Sequence, residues 1–262
     1  MSAAASAGAN GLDARRIEEA GLNALQTQRQ LFYDGWLLRV SPGKAKRARS
    51  VNAHFGSTLP LDRKFAHCES VFSQHGLPIL FRMTPFDRPS GLEDALAARG
   101  YIPFDETLVQ ARALEMAPEV PECGPGVALA APDAHAFVDA VARLRGSTAQ
   151  QRDAHFERIA HSPLGKRFVV VRDGERVVCT AQVAVEGELA GIYDVVTAED
   201  ARGRGHATLA CAWLLSWAWQ HGAHAAYLQV NADNAPAVAI YRKLGFATLY
   251  TYHYRGKPGA CE

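Results

Sequence analysis

Residues 191–222, GIYDVVTAEDARGRGHATLACAWLLSWAWQHG, constrain the fold more than any other stretch of the chain. They read as a buried strand, a glycine turn and an amphipathic helix in direct succession. Residues 191–197 are rich in β-branched and aromatic side chains, which suit a pleated, buried surface. The turn is Arg202-Gly203-Arg204-Gly205-His206-Ala207. In the predicted helix after it, Leu209, Trp213 and Trp217 recur every four residues, with Ala210 and Leu214 beside them. Gly222 is placed to end it. A helix start leaves backbone N–H groups unpaired and carries the positive end of the helix dipole. Two glycines let the main chain approach a ligand, and two arginines add charge. The combination suits a diphosphate.

Which diphosphate depends on the rest of the chain. A dinucleotide fingerprint needs a third glycine where Thr208 stands and an acid at the end of the next strand, which here ends in Val230-Asn231. The Gly-Lys-Ser/Thr of a phosphate-binding P-loop is absent. Length and charge narrow the field: 262 residues allow one domain or two, and a formal net charge of +1 shows no excess for a dedicated nucleic-acid surface. The five cysteines, Cys68, Cys123, Cys179, Cys211 and Cys261, are odd in number and dispersed, without metal-ligand spacing. They read as free thiols of a reducing compartment, and no metal is expected. Residues 1–11 are small and polar; they are expected to be disordered and not a signal peptide. No apolar run is long enough for a membrane span. A cytoplasmic protein without nucleic-acid or membrane partners is the expectation.

In chain order, residues 12–30 are predicted helical, 36–40 a strand, 41–43 a turn and 45–51 a return strand. The basic run Lys44, Lys46, Arg47 and Arg49 reads as the solvated rim of that hairpin, in preference to a nucleic-acid or anionic-ligand patch. A helix over 61–75, a strand over 78–84, a helix over 91–99 and a strand over 101–113 follow. Residues 114–125 hold three prolines among acids and form the expected linker. Beyond it come a strand (127–130), helices (134–145 and 149–161), and strands (166–172 and 176–185) joined by Asp173-Gly174, a hairpin signal. After the opening stretch lie a strand (225–231), a helix (235–244) and a strand (247–254). Each half contains a helix, a strand, a second helix ending in Arg-Gly-Tyr or Leu-Gly-Phe, and a further strand, which suggests an internal repeat.

The decisive signature is NADNAPAVAIYRKLGF, Asn231 to Phe246. Pro236 suits a helix start. Asn234 sits at the helix mouth, and Tyr241 lies two turns further along the same face. With the turn, this resembles the GNAT superfamily of acyl-CoA-dependent N-acetyltransferases. That family's Arg/Gln-x-x-Gly-x-Gly/Ala loop matches Arg202, Gly205 and Ala207. Its later signature matches Asn234, Ala237, Tyr241 and Gly245-Phe246. A proline common in the family three residues before the arginine is Glu199 here, a change that touches loop stiffness. The resemblance covers residues 126–262. It implies an α/β fold with a mixed sheet, and residues 12–113 look like a degenerate GNAT-like copy without the loop.

The resemblance also implies roles. Acetyl-CoA would be the co-substrate, with no metal. Its pantetheine arm would lie along the backbone of Val195, Val196 and Thr197 and meet Asn234. Its diphosphate would lie on the amides of Gly203, Arg204, Gly205, His206, Ala207 and Thr208, beside Arg202. An amine acceptor, small molecule or peptide, must lose a proton before it attacks; Asp194 is the candidate base and Tyr193 the alternative. Tyr241 is the candidate acid for the leaving thiolate. The alternating Tyr250, Tyr252, His253 and Tyr254 suit an acceptor pocket or an interface. The expected activity is direct acetyl transfer to a primary amine in a monomer or homodimer. A non-catalytic acyl-CoA-binding module is the alternative.

Overall fold

A computed structural model describes residues 12–27 and 29–260, so the expected disorder of residues 1–11 lies outside the described residues. Eleven strands form one mixed sheet. In chain order they are β1 (Gln30–Tyr33), β2 (Trp36–Arg39), β3 (Val51–Asn52), β4 (Leu80–Met83), β5 (Ile102–Ala113), β6 (Val127–Ala130), β7 (Gly165–Asp173), β8 (Arg176–Glu186), β9 (Leu189–Thr197), β10 (Ala225–Asn231) and β11 (Ala247–Gly256). The helices are α1 (Ala14–Asn23), α2 (Leu61–Gln74), α3 (Leu92–Ala98), α4 (Ala134–Arg145), α5 (Ala149–Ala160), α6 (His206–Gln220) and α7 (Ala235–Lys243). The predicted mixed α/β class is the one observed.

The spatial order is β1-β2-β3-β4-β11-β5-β10-β9-β8-β7-β6. Two runs of elements repeat within it: β1-β2-β3-α2-β4-α3-β5 and β7-β8-β9-α6-β10-α7-β11. In each run the pairings are antiparallel, antiparallel and then parallel, at β3–β4 and at β9–β10. The final strands are exchanged. β11 pairs with β4 and β5, and β5 pairs with β10 and β11. Residues 114–125 therefore join two strand sets that interleave in one sheet.

Side-chain alternation explains the layers, because successive residues of a strand face opposite ways. On β9, Ile192 joins the core under α6, while Tyr193 joins a second core under α1. On β7, Val169 and Val171 face α6, and Val170 faces α4 with Phe137 and Val141. So α6 covers one face and α1, α4 and α5 cover the other. The α6 sequence is apolar almost all round, and it buries Leu209, Ala210, Leu214, Leu215 and Ala218. It stops at His221 with Gly222 left-handed at φ 88°, the conformation glycine tolerates best.

Two expectations need correction. The helix over 12–30 is shorter: α1 ends at Asn23, and the chain turns into β1 at Gln30. The return strand over 45–51 is mostly a 3-10 turn at Lys46–Ala48, and only Val51–Asn52 pairs with β2. Ser41 N donates to the Ala48 carbonyl at 2.9 Å, closing a compact loop in place of a ladder. In that loop Lys46, Arg47 and Arg49 of the basic run are half-buried, while Lys44 is exposed.

Candidate active site

The parallel pairing of β9 with β10 runs only from Ala225↔Leu189 to Leu228↔Ile192. Beyond Ile192 and Leu228 the two strands separate, so Val195, Val196 and Thr197 have no β10 partner. At the point of separation β9 carries a bulge. The register with β8 shifts between Thr180↔Val196 and Gln182↔Tyr193, and Asp194 adopts φ 51°. Thr180 Oγ1 donates to the Asp194 carbonyl at 3.0 Å and fixes it. A bulge bends its strand and re-aims a side chain; here the carboxylate of Asp194 is among the groups lining a cavity of ≈ 450 Å³.

Asp194 is held by three partners. Arg145 Nη1 lies 2.9 Å from Oδ1, His155 Nε2 lies 2.9 Å from Oδ2, and the Gln182 amide donates to Oδ2. Burial alone would raise its pKa, but the His155 ring and the Arg145 guanidinium, with the hydrogen bonds from His155 and Gln182, keep the carboxyl well below the usual carboxylate range. A carboxylate so stabilised is a weak proton acceptor, but it orients an imidazole well. His155 was not among the residues singled out from sequence. It comes from α5, whose start is fixed by a capping box between Thr148 and Gln151. Gln151, His155 and Arg158 fall four and three residues apart, on the helix face that lines the cavity. Tyr193, the alternative base, is buried; burial pushes its pKa up to about 12, and its hydroxyl donates to the Tyr227 hydroxyl at 2.9 Å.

On the far side of the gap, α7 starts at Asn234, whose Oδ1 accepts from Ala237 N at 3.3 Å. Asn234, Ala237 and Tyr241 all line the cavity. Tyr241 is 8% exposed, and burial together with Cys211 and Cys179 holds its pKa above the usual tyrosine value. It stays protonated at any working pH. Its hydroxyl has no hydrogen-bond partner among the described residues.

The glycine turn lies before α6. Gly203 and Gly205 are left-handed at φ 77° and 82°, and no side chain caps the helix start. The amides of its first turn therefore lack intrahelical acceptors. Ala207 and the ring of His206 are buried, and His206 Nε2 has no partner. Arg202 and Arg204 stay exposed, near Glu199 and Asp173 at 3.6 Å each. Among the described residues no His, Cys, Asp and Glu cluster forms a metal site, and no helix is long and apolar enough to cross a membrane.

Before α2, the Asp34 carboxylate accepts from Thr58 N at 3.0 Å, Leu59 N at 2.9 Å and Thr58 Oγ1 at 2.8 Å, with Lys64 Nζ 3.2 Å away. The Asp34 carboxylate thus ties down the loop before α2, while the helix start at Pro60, like that at Gly205, has no side-chain cap.

The acetyltransferase (GNAT) family model matches residues 136–246. This segment carries the parted strands, the glycine turn and Tyr241. Residues 136–246 carry a GNAT acetyltransferase-family domain. Along 94% of its length it is 28% identical to an uncharacterized N-acetyltransferase, YobR, of Bacillus subtilis, covering 99% of that protein. A GCN5-related N-acetyltransferase from Kribbella flavida shares the fold with TM-score 0.69 at 19% identity, over 94% of this chain and 95% of that one. A tandem GNAT protein from the clavulanic acid biosynthesis pathway aligns with TM-score 0.61 at 16% identity, over 79% of this chain and 74% of that one. The domain match and the N-acetyltransferase relative support an acyltransferase enzyme. Asp194, Tyr241, the turn and Asn234 all lie in the matched segment. His155 and Arg145 do too, but no motif marks them: they reach Asp194 only through the packing of α4 and α5 on the sheet.

Proposed function

We propose that the chain moves an acetyl group from acetyl-CoA to a primary amine by direct attack within a ternary complex. The observation that carries this reading is the parting of β9 and β10 beyond Ile192 and Leu228, beside a bulge and above a cavity that Tyr241 also lines. The free backbone edge of Val195, Val196 and Thr197 supplies main-chain hydrogen bonds to an extended pantetheine arm. The uncapped start of α6, from Gly203 to Thr208 with Arg202 and Arg204, receives the diphosphate. Asn234 closes the slot from α7.

The chemistry needs two proton transfers. An alkylammonium must lose a proton before its nitrogen attacks the thioester carbonyl. We assign that proton to His155, oriented by Asp194, so Asp194 acts as the positioning group of the pair. The carbon–nitrogen bond forms as the carbon–sulfur bond breaks, and Tyr241 donates its proton to the departing sulfur. Backbone N–H groups at the bulge stabilise the oxyanion. The first run of elements, residues 12–113, is read as a degenerate copy that lacks the glycine-rich turn before its helix α2.

The test is thiol release from acetyl-CoA across a panel of primary amines, with mass detection of the acetylated product. Transfer that falls about 100-fold in His155→Gln, with acetyl-CoA affinity kept, supports the assignment. Undiminished turnover in that variant removes His155 from the role, and binding without transfer across the panel removes the enzyme reading for amines.

A further inference from the structure

The cavity beside Asp194 carries far more positive charge than acetyl transfer alone requires. Lys44, Lys46, Arg47, Arg145, Arg152 and Arg158 line it, against the carboxylates of Asp105 and Asp194. Both carboxylates are already engaged. Lys46 Nζ lies 2.7 Å from Asp105, which also accepts from the Asn231 amide, and Arg145 holds Asp194. Lys44 and Arg152 reach solvent and lie at the rim. Two guanidiniums remain inside.

Arg47 has no carboxylate and no hydrogen-bond acceptor among the described residues, and its Nη1 is buried. Its surroundings are aromatic: Arg47 Cζ lies 5.5 Å from the centroid of the Tyr193 ring, and Tyr252 and Tyr254 line the same cavity. Arg158 has a buried, unpartnered Nε, and its Nη1 donates only to the Ala154 carbonyl, at 2.9 Å. A buried charge without a partner is costly, and proteins that keep one commonly meet it with a ligand. Guanidinium suits carboxylate or phosphate because its planar fork makes two parallel hydrogen bonds. A plain alkylammonium gains nothing from such a wall and is repelled by it.

Resting on the acetyltransferase reading above, we propose that the acceptor is a small amine that also bears an anionic group, a carboxylate or a phosphate, and that Arg47, with Arg158 behind it, receives that group. The CoA diphosphate does not supply the missing anion, because the turn before α6 that suits it does not line this cavity. Tyr252, whose hydroxyl donates to Gln229 at 2.9 Å, and Tyr254 line the wall beside the anion, while the amine end points toward His155 and the parted strands. Arg47 comes from the first run of elements, so that run would set specificity for a reaction carried out by the second.

The test uses the full chain and amines matched in skeleton: 5-aminopentanoate against pentylamine, phenylalanine against phenethylamine, and phosphoethanolamine against ethanolamine. Acceptor KM and kcat are measured by thiol release, and ligand binding to the CoA complex is measured by calorimetry. Acid-bearing members should be preferred at least tenfold, and the better of the carboxylate and phosphate arms identifies the group. Arg47→Gln should raise KM for the acid-bearing acceptors about 10- to 100-fold, with acetyl-CoA affinity unchanged, and Arg47→Lys should restore part of the loss. Equal use of the neutral partners, or an Arg47→Gln effect of the same size on both members of a pair, overturns the proposal while leaving acetyl transfer intact. Arg47-dependent binding of acids without any transfer upholds the anion site and counts against the transfer reading. Failure of every acid to bind overturns the anion site.

Discussion

At the scale of single residues, the chemistry rests on one imidazole, His155 of α5, and one hydroxyl, Tyr241 of α7, which line the same cavity. Tyr241→Phe keeps the ring that packs edge-on against Phe246, at 6.2 Å between centroids, and removes only the proton. Its kcat should fall about 100-fold, the scale of a lost general acid, with KM for acetyl-CoA within about twofold in the same steady-state assay. Unchanged kcat would strip Tyr241 of the role. The sequence reading reached Tyr241 because its spacing from Asn234 and Gly245 survives as a linear pattern. It assigned the base to Asp194 because one strand carried it next to the expected acyl site. Its partners Arg145 and His155 are 49 and 39 residues away, and nothing linear ties them to it. The sequence puts Arg47 on a solvated rim for the same reason: alternation of charge along a hairpin is a local signal, whereas the fold half-buries the side chain beside the Tyr193 ring.

At the scale of elements, boundaries were legible wherever a hydrophobic period ran between two breakers. β6, α4 and β10 begin and end where expected, since glycine, proline or aspartate flank each one. α1 and the 45–51 strand failed because their patterns were weak and the winning structure was a short turn. The glycine turn before α6 was legible in kind, as a left-handed pair, and its two positions have open space around an added Cβ. The glycines are therefore needed there for φ, not for space. Gly205→Glu should keep the fold, with only about 1–2 kcal/mol of backbone strain, and place a carboxylate where the diphosphate is expected. The rise in melting temperature on adding acetyl-CoA should disappear in this variant while the ligand-free melting temperature falls by a few degrees at most. A retained ligand shift would contradict the turn's assignment.

At the scale of the whole molecule, the exchange of β5 and β11 was invisible in sequence. The repeat of element order was visible, but order does not say which strand lies beside which. The exchange ties the two runs into one sheet, and a buried charge cluster sits beside it. Glu18 of α1, 2% exposed, takes both guanidinium nitrogens of Arg82 on β4 and accepts from the Tyr250 hydroxyl of β11 at 2.6 Å. Burial works to raise its pKa, but the Arg82 charge and hydrogen bonds outweigh it and lower the pKa to about 2. A depressed carboxylate pKa stabilises the fold above the unfolded value, near 4.5, and that contribution is lost as pH falls toward 2. Wild-type stability from denaturant titrations should therefore drop across this window. Glu18→Gln, which leaves Arg82 buried and unpaired, should cost about 3–5 kcal/mol at neutral pH and flatten the acid slope. An acid slope that persists in this variant would assign it to other groups. The central claim, proposed above, is that one acyl-CoA site exists per chain, in the second run, where two left-handed glycines precede the uncapped start of α6. Calorimetric titration of the full chain with acetyl-CoA tests it most directly. The account predicts saturation at one equivalent per chain; two equivalents, or no binding at all, would contradict it.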